Sequence, residues 1–189
     1  KGLYVIIDPE VTSGRDPVDI ARQSLQGGAQ VLQLRDKLRE KGTSLVLAQA
    51  LKLLCTDYGA SLIINDHADL AVAVDADGLH VGQGDLPVVE VRKMLRPWQV
   101  IGRSNHRTTE LKESQDMGAD HVAFGAIYAT STKVSKGTSV PVGPESVKVA
   151  KASVHLPLVA IGGINESNIE PVVRAGADAI CVTGAIGLA

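Results

Sequence analysis

Three times in this chain a helix-forming stretch stops at glycine and a very short return delivers an apolar run: Gly27-Gly28-Ala29-Gln30, Gly118-Ala119-Asp120 and Gly176-Ala177-Asp178. Glycine suits the left-handed position that ends a helix, and a loop this short feeds the next strand straight into a sheet. A strand reached through a helix lies parallel to its predecessor, with a right-handed crossover. The apolar runs read as buried parallel strands at about 3–7, 30–34, 61–64, 78–81, 99–102, 121–127, 157–161 and 178–182. Helices fill the gaps. Asp16-Pro17 places an N-cap before a proline at the first helical position of 17–27, Thr43 and Thr108 are expected to cap 44–57 and 109–117, and 168–175 is a short helix ending in glycine. Eight strands so connected predict a single (β/α)8 barrel over residues 1–189. An open doubly wound sheet is the alternative. Against it, Gly-Gly comes after the seventh strand, and no G-x-G-x-x-G follows the first. The chain opens at Lys1 directly before a strand and closes at Ala189, barely a turn into the helix begun by Gly184-Ala-Ile-Gly-Leu188. The expectation is a barrel trimmed at both ends, its last helix truncated.

Bulk properties narrow the partners. With 19 basic and 21 acidic residues the net charge is −2, so no global field draws in nucleic acid or an anionic membrane. Aromatic residues make up 3% of the chain, too few for base-stacking platforms. No stretch approaches the ~18 apolar residues of a membrane span, and no charged-then-apolar leader is present. The expected location is cytoplasmic, and the expected partners are small molecules. Cys55 and Cys181 both sit in apolar runs and read as reduced core thiols, with a disulfide or a catalytic cysteine as the alternatives.

Barrel enzymes place their sites at the C-terminal ends of the strands, often with a phosphate between the loops after strands seven and eight. Here Gly162-Gly163 lets backbone N–H groups approach an anion, and Thr183-Gly184 starts a short helix whose amides favour the same ligand. The plainer reading is that these glycines only turn the chain. Asp66 and Asp85 end strands three and four with Asn65 beside them, a hard oxygen site suited to Mg²⁺. Asp85, just before Leu86-Pro87, could instead cap a helix. Gln33, Arg35 and Lys37 alternate along one strand and are expected to point the same way. Buried charges need a partner: a bound polyanion, or a salt bridge to Asp8 or Asp66. Lys133 follows the hydroxyls of Thr130, Ser131 and Thr132 in a long polar loop that reads as a lid or as plain surface. His106 could be an acid–base group or a structural histidine. His67, His80, His121 and His155 lack metal-ligand spacing, and Trp98 reads as packing. Together these residues ask for a diphosphate and a monophosphate ligand with Mg²⁺, around an interior poor in nucleophiles.

Five segments carry a resemblance that spans nearly the whole chain: Gln33-Leu-Arg-Asp-Lys37, Asn65-Asp66, Ala76-Asp-Gly-Leu-His-Val-Gly-Gln-Gly-Asp85, Thr130-Ser-Thr-Lys133 and Ala160-Ile-Gly-Gly-Ile164. In this order they resemble the thiamine phosphate synthase family, barrel enzymes that join the pyrimidine and thiazole halves of thiamine. The resemblance implies that Gln33, Arg35, Lys37, Asn65, Ser104 and Lys133 bind hydroxymethylpyrimidine diphosphate. It implies Mg²⁺ on Asp66 and Asp85, and thiazole phosphate on Thr130, Ser131, Thr132, Gly163, Thr183 and Gly184. The implied reaction is dissociative: pyrophosphate leaves and the thiazole nitrogen traps a pyrimidine methylene cation, with Arg35, Lys37, Ser104 and Lys133 stabilising the leaving group. His67 stands where the family usually has arginine, Gly184 where serine is frequent, and Ala126 and Ala129 where prolines are common. Related synthases occur fused to a thiazole or pyrimidine kinase, so the resemblance leaves a removed kinase domain, and a homo-oligomer, open.

Three rival functions remain at this stage. A thiazole tautomerase on the same barrel would keep the phosphate loops and use His106, without needing the full set of cations and acids. An aldolase would use Lys37 or Lys133 as a Schiff base. A sensor of thiamine precursors would bind without turnover.

Overall fold

The computed structural model describes residues 2–130 and 140–189. Eight parallel strands close into a barrel in sequential order, β1 to β8, with β8 returning to β1. The elements alternate throughout: β1 (Gly2–Ile7), α1 (Pro17–Gln26), β2 (Val31–Leu34), α2 (Lys41–Tyr58), β3 (Ser61–Asn65), α3 (Ala68–Ala73), β4 (Gly78–Val81), α4 (Val88–Met94), β5 (Val100–Asn105), α5 (Thr108–Asp116), β6 (His121–Phe124), α6 (Glu145–Ser153), β7 (Leu158–Ile161), α7 (Ile169–Arg174), β8 (Ala179–Val182) and α8 (Gly184–Gly187).

The glycine returns work as expected. Gly28, Gly118 and Gly176 have φ of 93°, 84° and 101°, values that admit glycine freely. The aspartate after two of them has a second task. Asp120 Oδ2 accepts from Ile101 N at 2.7 Å and pairs with Arg92, and Asp178 Oδ2 accepts from Leu158 N at 2.7 Å and pairs with Lys151. Asp77 repeats the device, accepting from Leu62 N at 2.8 Å and pairing with Lys52. Each carboxylate stands just before an even-numbered strand and closes onto the start of the strand before it. Burial pushes the Asp178 carboxyl up, but the Leu158 N–H and the Lys151 ammonium overcome this and leave it below the usual range.

Alternation along the strands makes two cores. Outward residues such as Val5, Leu32, Leu62, Leu79, Ile101, Val122 and Leu158 pack under the helices, each burial worth about 1.5–3 kcal/mol. Inward residues form a smaller cluster of Tyr4, Ile6, Ile63, Ala123, Val159 and Cys181 inside the barrel. Both cysteines are buried free thiols, as expected, and burial pushes Cys55 up to about 12.

Several local readings are corrected. The N-caps of α2 and α5 are Glu40 and Arg107, one or more residues before Thr43 and Thr108. At α5 the Glu110 carboxylate reaches back to accept from His106 N at 2.6 Å and Arg107 N at 3.2 Å, so the first turn is satisfied without a threonine. β5 runs on to Asn105, and β6 stops at Phe124 rather than 127, because the chain leaves the sheet at Gly125 to carry Ile127 under the helices. No helix among the described residues is long and apolar enough to cross a membrane.

Candidate functional site

A cavity of about 340 Å³ opens at the C-terminal ends of the strands. Its floor is the polar part of the barrel interior. Gln33 Nε2 donates to the Tyr4 hydroxyl at 2.7 Å, and His80 and His121 lie with ring centroids 5.8 Å apart. Both rings fit because residue 102 is glycine. A Cβ there would come within 2.1 Å of His121 Nε2 and 2.5 Å of His80 Nδ1. Burial drives the His121 imidazole down to about 4, with Asp120 opposing, so that ring is neutral at pH 7.

One wall is built from charge. Arg35 forms an ion pair with Asp8, whose side chain is only 3% exposed, and Lys37 Nζ lies 3.0 Å from Asp66 Oδ2. The two salt bridges weighed for these cations are therefore both present, and of the two cations Arg35 lines the opening. The expectation that Arg35 and Lys37 continue a strand in one direction is corrected: β2 ends at Leu34, and the two diverge, one toward β1 and the other toward β3. Asn65 closes β3 as a buried amide. Asp66 follows with φ of 63°, a left-handed conformation that aspartate tolerates better than most residues. Burial raises the Asp66 carboxyl; the Lys37 ammonium opposes this, and the Asp85 carboxyl, within hydrogen-bonding reach, adds to it. Asp85 caps no helix. Pro87 holds the N-cap of α4, while Asp85 Oδ2 closes its own loop by accepting from Gly82 N at 2.7 Å. Ser104 completes this side, its hydroxyl 2.8 Å from His80 Nε2.

The facing wall is built from backbone. Gly162 and Gly163 have φ of 104° and 65°, and a Cβ on Gly163 would lie 2.4 Å from the Ala129 carbonyl oxygen. The pair turns the chain and also lets the end of β7 pack onto the segment after β6. Asn168 Nδ2 donates to Gly163 O at 2.9 Å and holds the turn from behind. Thr183 and Gly184 begin α8, whose last carbonyls accept from Arg15 Nη2, at 2.6 Å for Ile186 and 3.0 Å for Gly187.

Of the residues singled out in the sequence, Gln33, Arg35, Asn65 and Ser104 line the cavity on the charged side. Thr130, Gly163, Thr183 and Gly184 line it on the other. Lys37, Asp66 and Asp85 gather at the adjoining ends of β2, β3 and β4, outside the lining itself. Ser131, Thr132 and Lys133 fall outside the described residues. His106 lines the cavity with Nδ1 2.7 Å from Gly125 O. Sequence reasoning missed the paired histidine floor. His80 and His121 are far apart in the chain and met only the test of metal-ligand spacing, while the clue, a glycine between them in the sheet, needs the strand register to be seen.

A family profile described as thiamine monophosphate synthase matches residues 3–186. The chain belongs to that family. It is an enzyme, a transferase of thiamine biosynthesis. A thiamine-phosphate synthase of Shouchella clausii is 46% identical over 180 residues, covering 95% of this chain and 85% of that protein. One from Moorella thermoacetica is 41% identical over 184 residues, covering 97% and 87%. Among solved structures, a thiamine phosphate pyrophosphorylase from Pyrococcus furiosus superposes with a TM-score of 0.91 at 32% identity, covering the whole of this chain and 88% of that one. A 3-hexulose-6-phosphate synthase, at 18% identity and a TM-score of 0.73, shares the barrel fold.

Proposed function

We propose that the enzyme joins hydroxymethylpyrimidine diphosphate to thiazole phosphate, releasing pyrophosphate and giving thiamine phosphate. The observation that carries this reading is the division of one cavity into a charged wall and a backbone wall. Arg35, Lys37, Asn65 and Ser104, with Lys133 from outside the described residues, would hold the pyrimidine diphosphate, and Gln33 would meet its ring above the histidine floor. The Gly163, Thr183 and Gly184 turns, with Thr130, Ser131 and Thr132, would take the thiazole phosphate on backbone N–H groups and hydroxyls.

The chemistry asked of the side chains is electrostatic. The methylene C–O bond breaks with both electrons leaving on the diphosphate oxygen, and the thiazole nitrogen lone pair then forms the new C–N bond, so no proton need move. Guanidinium and ammonium groups facing the departing oxygens stabilise charge that grows only in the transition state. The neutral His121 adds no positive charge beneath a developing carbocation.

Asp66 and Asp85 suit a divalent cation such as Mg²⁺. They are hard oxygen donors on neighbouring strand ends, and burial, with the nearby Asp85 carboxyl adding to it, raises the Asp66 carboxyl, a cost that a bound cation would relieve. No group of three potential metal-ligating side chains occurs among the described residues, so the remaining positions would fall to diphosphate oxygens and water. When bound, the ion would neutralise charge on the leaving group.

The thiazole tautomerase reading has one observation in its favour, the place of His106 on the cavity wall. It leaves the charged wall without a task. Pyrophosphate release, measured with both substrates and Mg²⁺ and with each omitted in turn, decides between them. Release that requires all three, with thiamine phosphate as product, is expected. Isomerisation of thiazole phosphate without any coupling would overturn the synthase reading.

A further inference from the structure

Gln83 sits in the loop after β4 that also carries Asp85, and the proposed reaction gives it no task. Its side chain is exposed, yet its carboxamide is held at both ends. Oε1 accepts from Arg103 Nη2 at 2.8 Å, and Nε2 donates to the backbone carbonyl of Ser104 at 2.6 Å, with Asn105 Oδ1 at 3.5 Å. Arg103 points outward from β5 and is 9% exposed. Its other terminal nitrogen donates to Ser114 Oγ on α5 at 3.2 Å. None of the ion pairs of the described residues includes it. A buried guanidinium held only by neutral acceptors is costly to keep, which calls for a reason beyond packing.

The reason lies in donor and acceptor counting. A guanidinium carries donors and no acceptor, so it draws the carboxamide oxygen toward itself and turns the NH₂ group toward Ser104. An amide that could sit either way round is thereby fixed in one orientation. Ser104 is then gripped twice from β4 and its loop: its carbonyl by Gln83 and its hydroxyl by His80. The same loop is closed on itself by Asp85.

We propose that Gln83 is a positioning residue for the transfer reaction: oriented by the buried Arg103, it ties the Asp85 loop to the end of β5 and sets where Ser104 and Asp85 stand relative to each other. This rests on the reading of Ser104 as a diphosphate ligand and of Asp85 as an ion ligand. A shift of an ångström at such a site costs up to about a hundredfold in rate.

Two substitutions separate positioning from mere tethering. Gln83→Ala removes both bonds. Gln83→Glu keeps an acceptor for Arg103, with added charge attraction, but turns an oxygen toward the Ser104 carbonyl. If donation to Ser104 matters, kcat/KM for the pyrimidine diphosphate falls roughly tenfold or more in both variants. Thiazole phosphate binding, measured alone by calorimetry, stays as in the wild type, and Gln83→Glu melts no lower than the wild type. Wild-type kinetics in Gln83→Glu, or a loss that follows a fall in melting temperature, overturns the positioning role. A wild type run alongside that releases no pyrophosphate overturns the function on which it rests, and the role with it.

Discussion

The two walls of the cavity solve the same problem, holding phosphate oxygens, with different materials. Around β1 to β4 the work falls to side chains that already neutralise one another, Arg35 with Asp8 and Lys37 with Asp66. Around β7 and β8 it falls to peptide groups, and at Gly162 and Gly163 any side chain would strike neighbouring backbone. At the exposed end of the first wall, at Lys37 and Asp85, charge can be deleted with little harm to the fold but great harm to the chemistry. A backbone site has nothing to delete, and is disabled only by adding atoms, which harms fold and ligand together. The first wall separates function from stability; the second fuses them.

The sharpest test of that difference is Asp85→Ala. Turnover is expected to fall by at least a hundredfold, with thiazole phosphate binding and melting temperature nearly unchanged. Equal loss of catalysis and thiazole phosphate binding in a folded variant would break the division into two walls. Gly163→Ala should do the opposite. The added Cβ meets the Ala129 carbonyl at a positive φ, so a stability loss of about 2–4 kcal/mol is expected, together with weakened thiazole phosphate binding, read by thermal melting and calorimetry.

The floor beneath both walls is tested by pH. The folded His121 pKa of about 4 lies below its unfolded value, so between about 6.5 and 4 the unfolded chain binds a proton that the folded chain refuses. Stability is therefore lost as pH falls through that window. His121→Gln should flatten the decline of melting temperature between pH 6.5 and 4.5 by several degrees; a parallel decline would place the effect elsewhere. The smallest effect on stability is expected from Asp66→Asn. Because folding raises the Asp66 carboxyl, its ionised form weakens the fold once the pH exceeds its folded pKa. Removing the charge should leave the melting temperature at pH 7.5 unchanged or higher by roughly 2 °C, while ion-dependent turnover disappears.

The fold was legible because its punctuation is local. Glycine at Gly28, Gly118 and Gly176 ends a helix by a rule that needs no knowledge of the rest of the chain. Strand ends were less legible where polar residues continue a ladder, as Arg103 to Asn105 do, since hydrophobic runs carry no mark for pairing that persists beyond them. Site residues that end a strand, such as Asn65 and Thr183, announced themselves by breaking an apolar run. The contacts that tune them did not. The Asp8 partner of Arg35 could be offered from sequence, but Gln83 with Arg103 joins residues that only the pairing of β4 with β5 brings together. Arg107 took the cap expected of Thr108 because Glu110 satisfies the first turn of α5 from within, a reciprocal bond that a search for hydroxyl caps overlooks, and Glu40 stands at the cap of α2 without any side-chain bond.

The three aspartates at the far face also divide the assembly of the barrel into steps. Asp77, Asp120 and Asp178 each join a strand to the one just before it, across a short span of sequence. The joint between β8 and β1 sets Ala179 opposite Gly2 and must wait for almost the entire chain. Local closures are entropically cheap and fast, and the last seam is neither. Pulse-labelled hydrogen exchange during refolding is expected to find the amides of Leu62, Ile101 and Leu158 protected before those of Gly2 and Tyr4, which face β8. Since the Thr183–Gly184 turn follows β8 and meets the wall of Asp8 and Arg35 only when that seam closes, the catalytic cavity would be the last part of the molecule to exist.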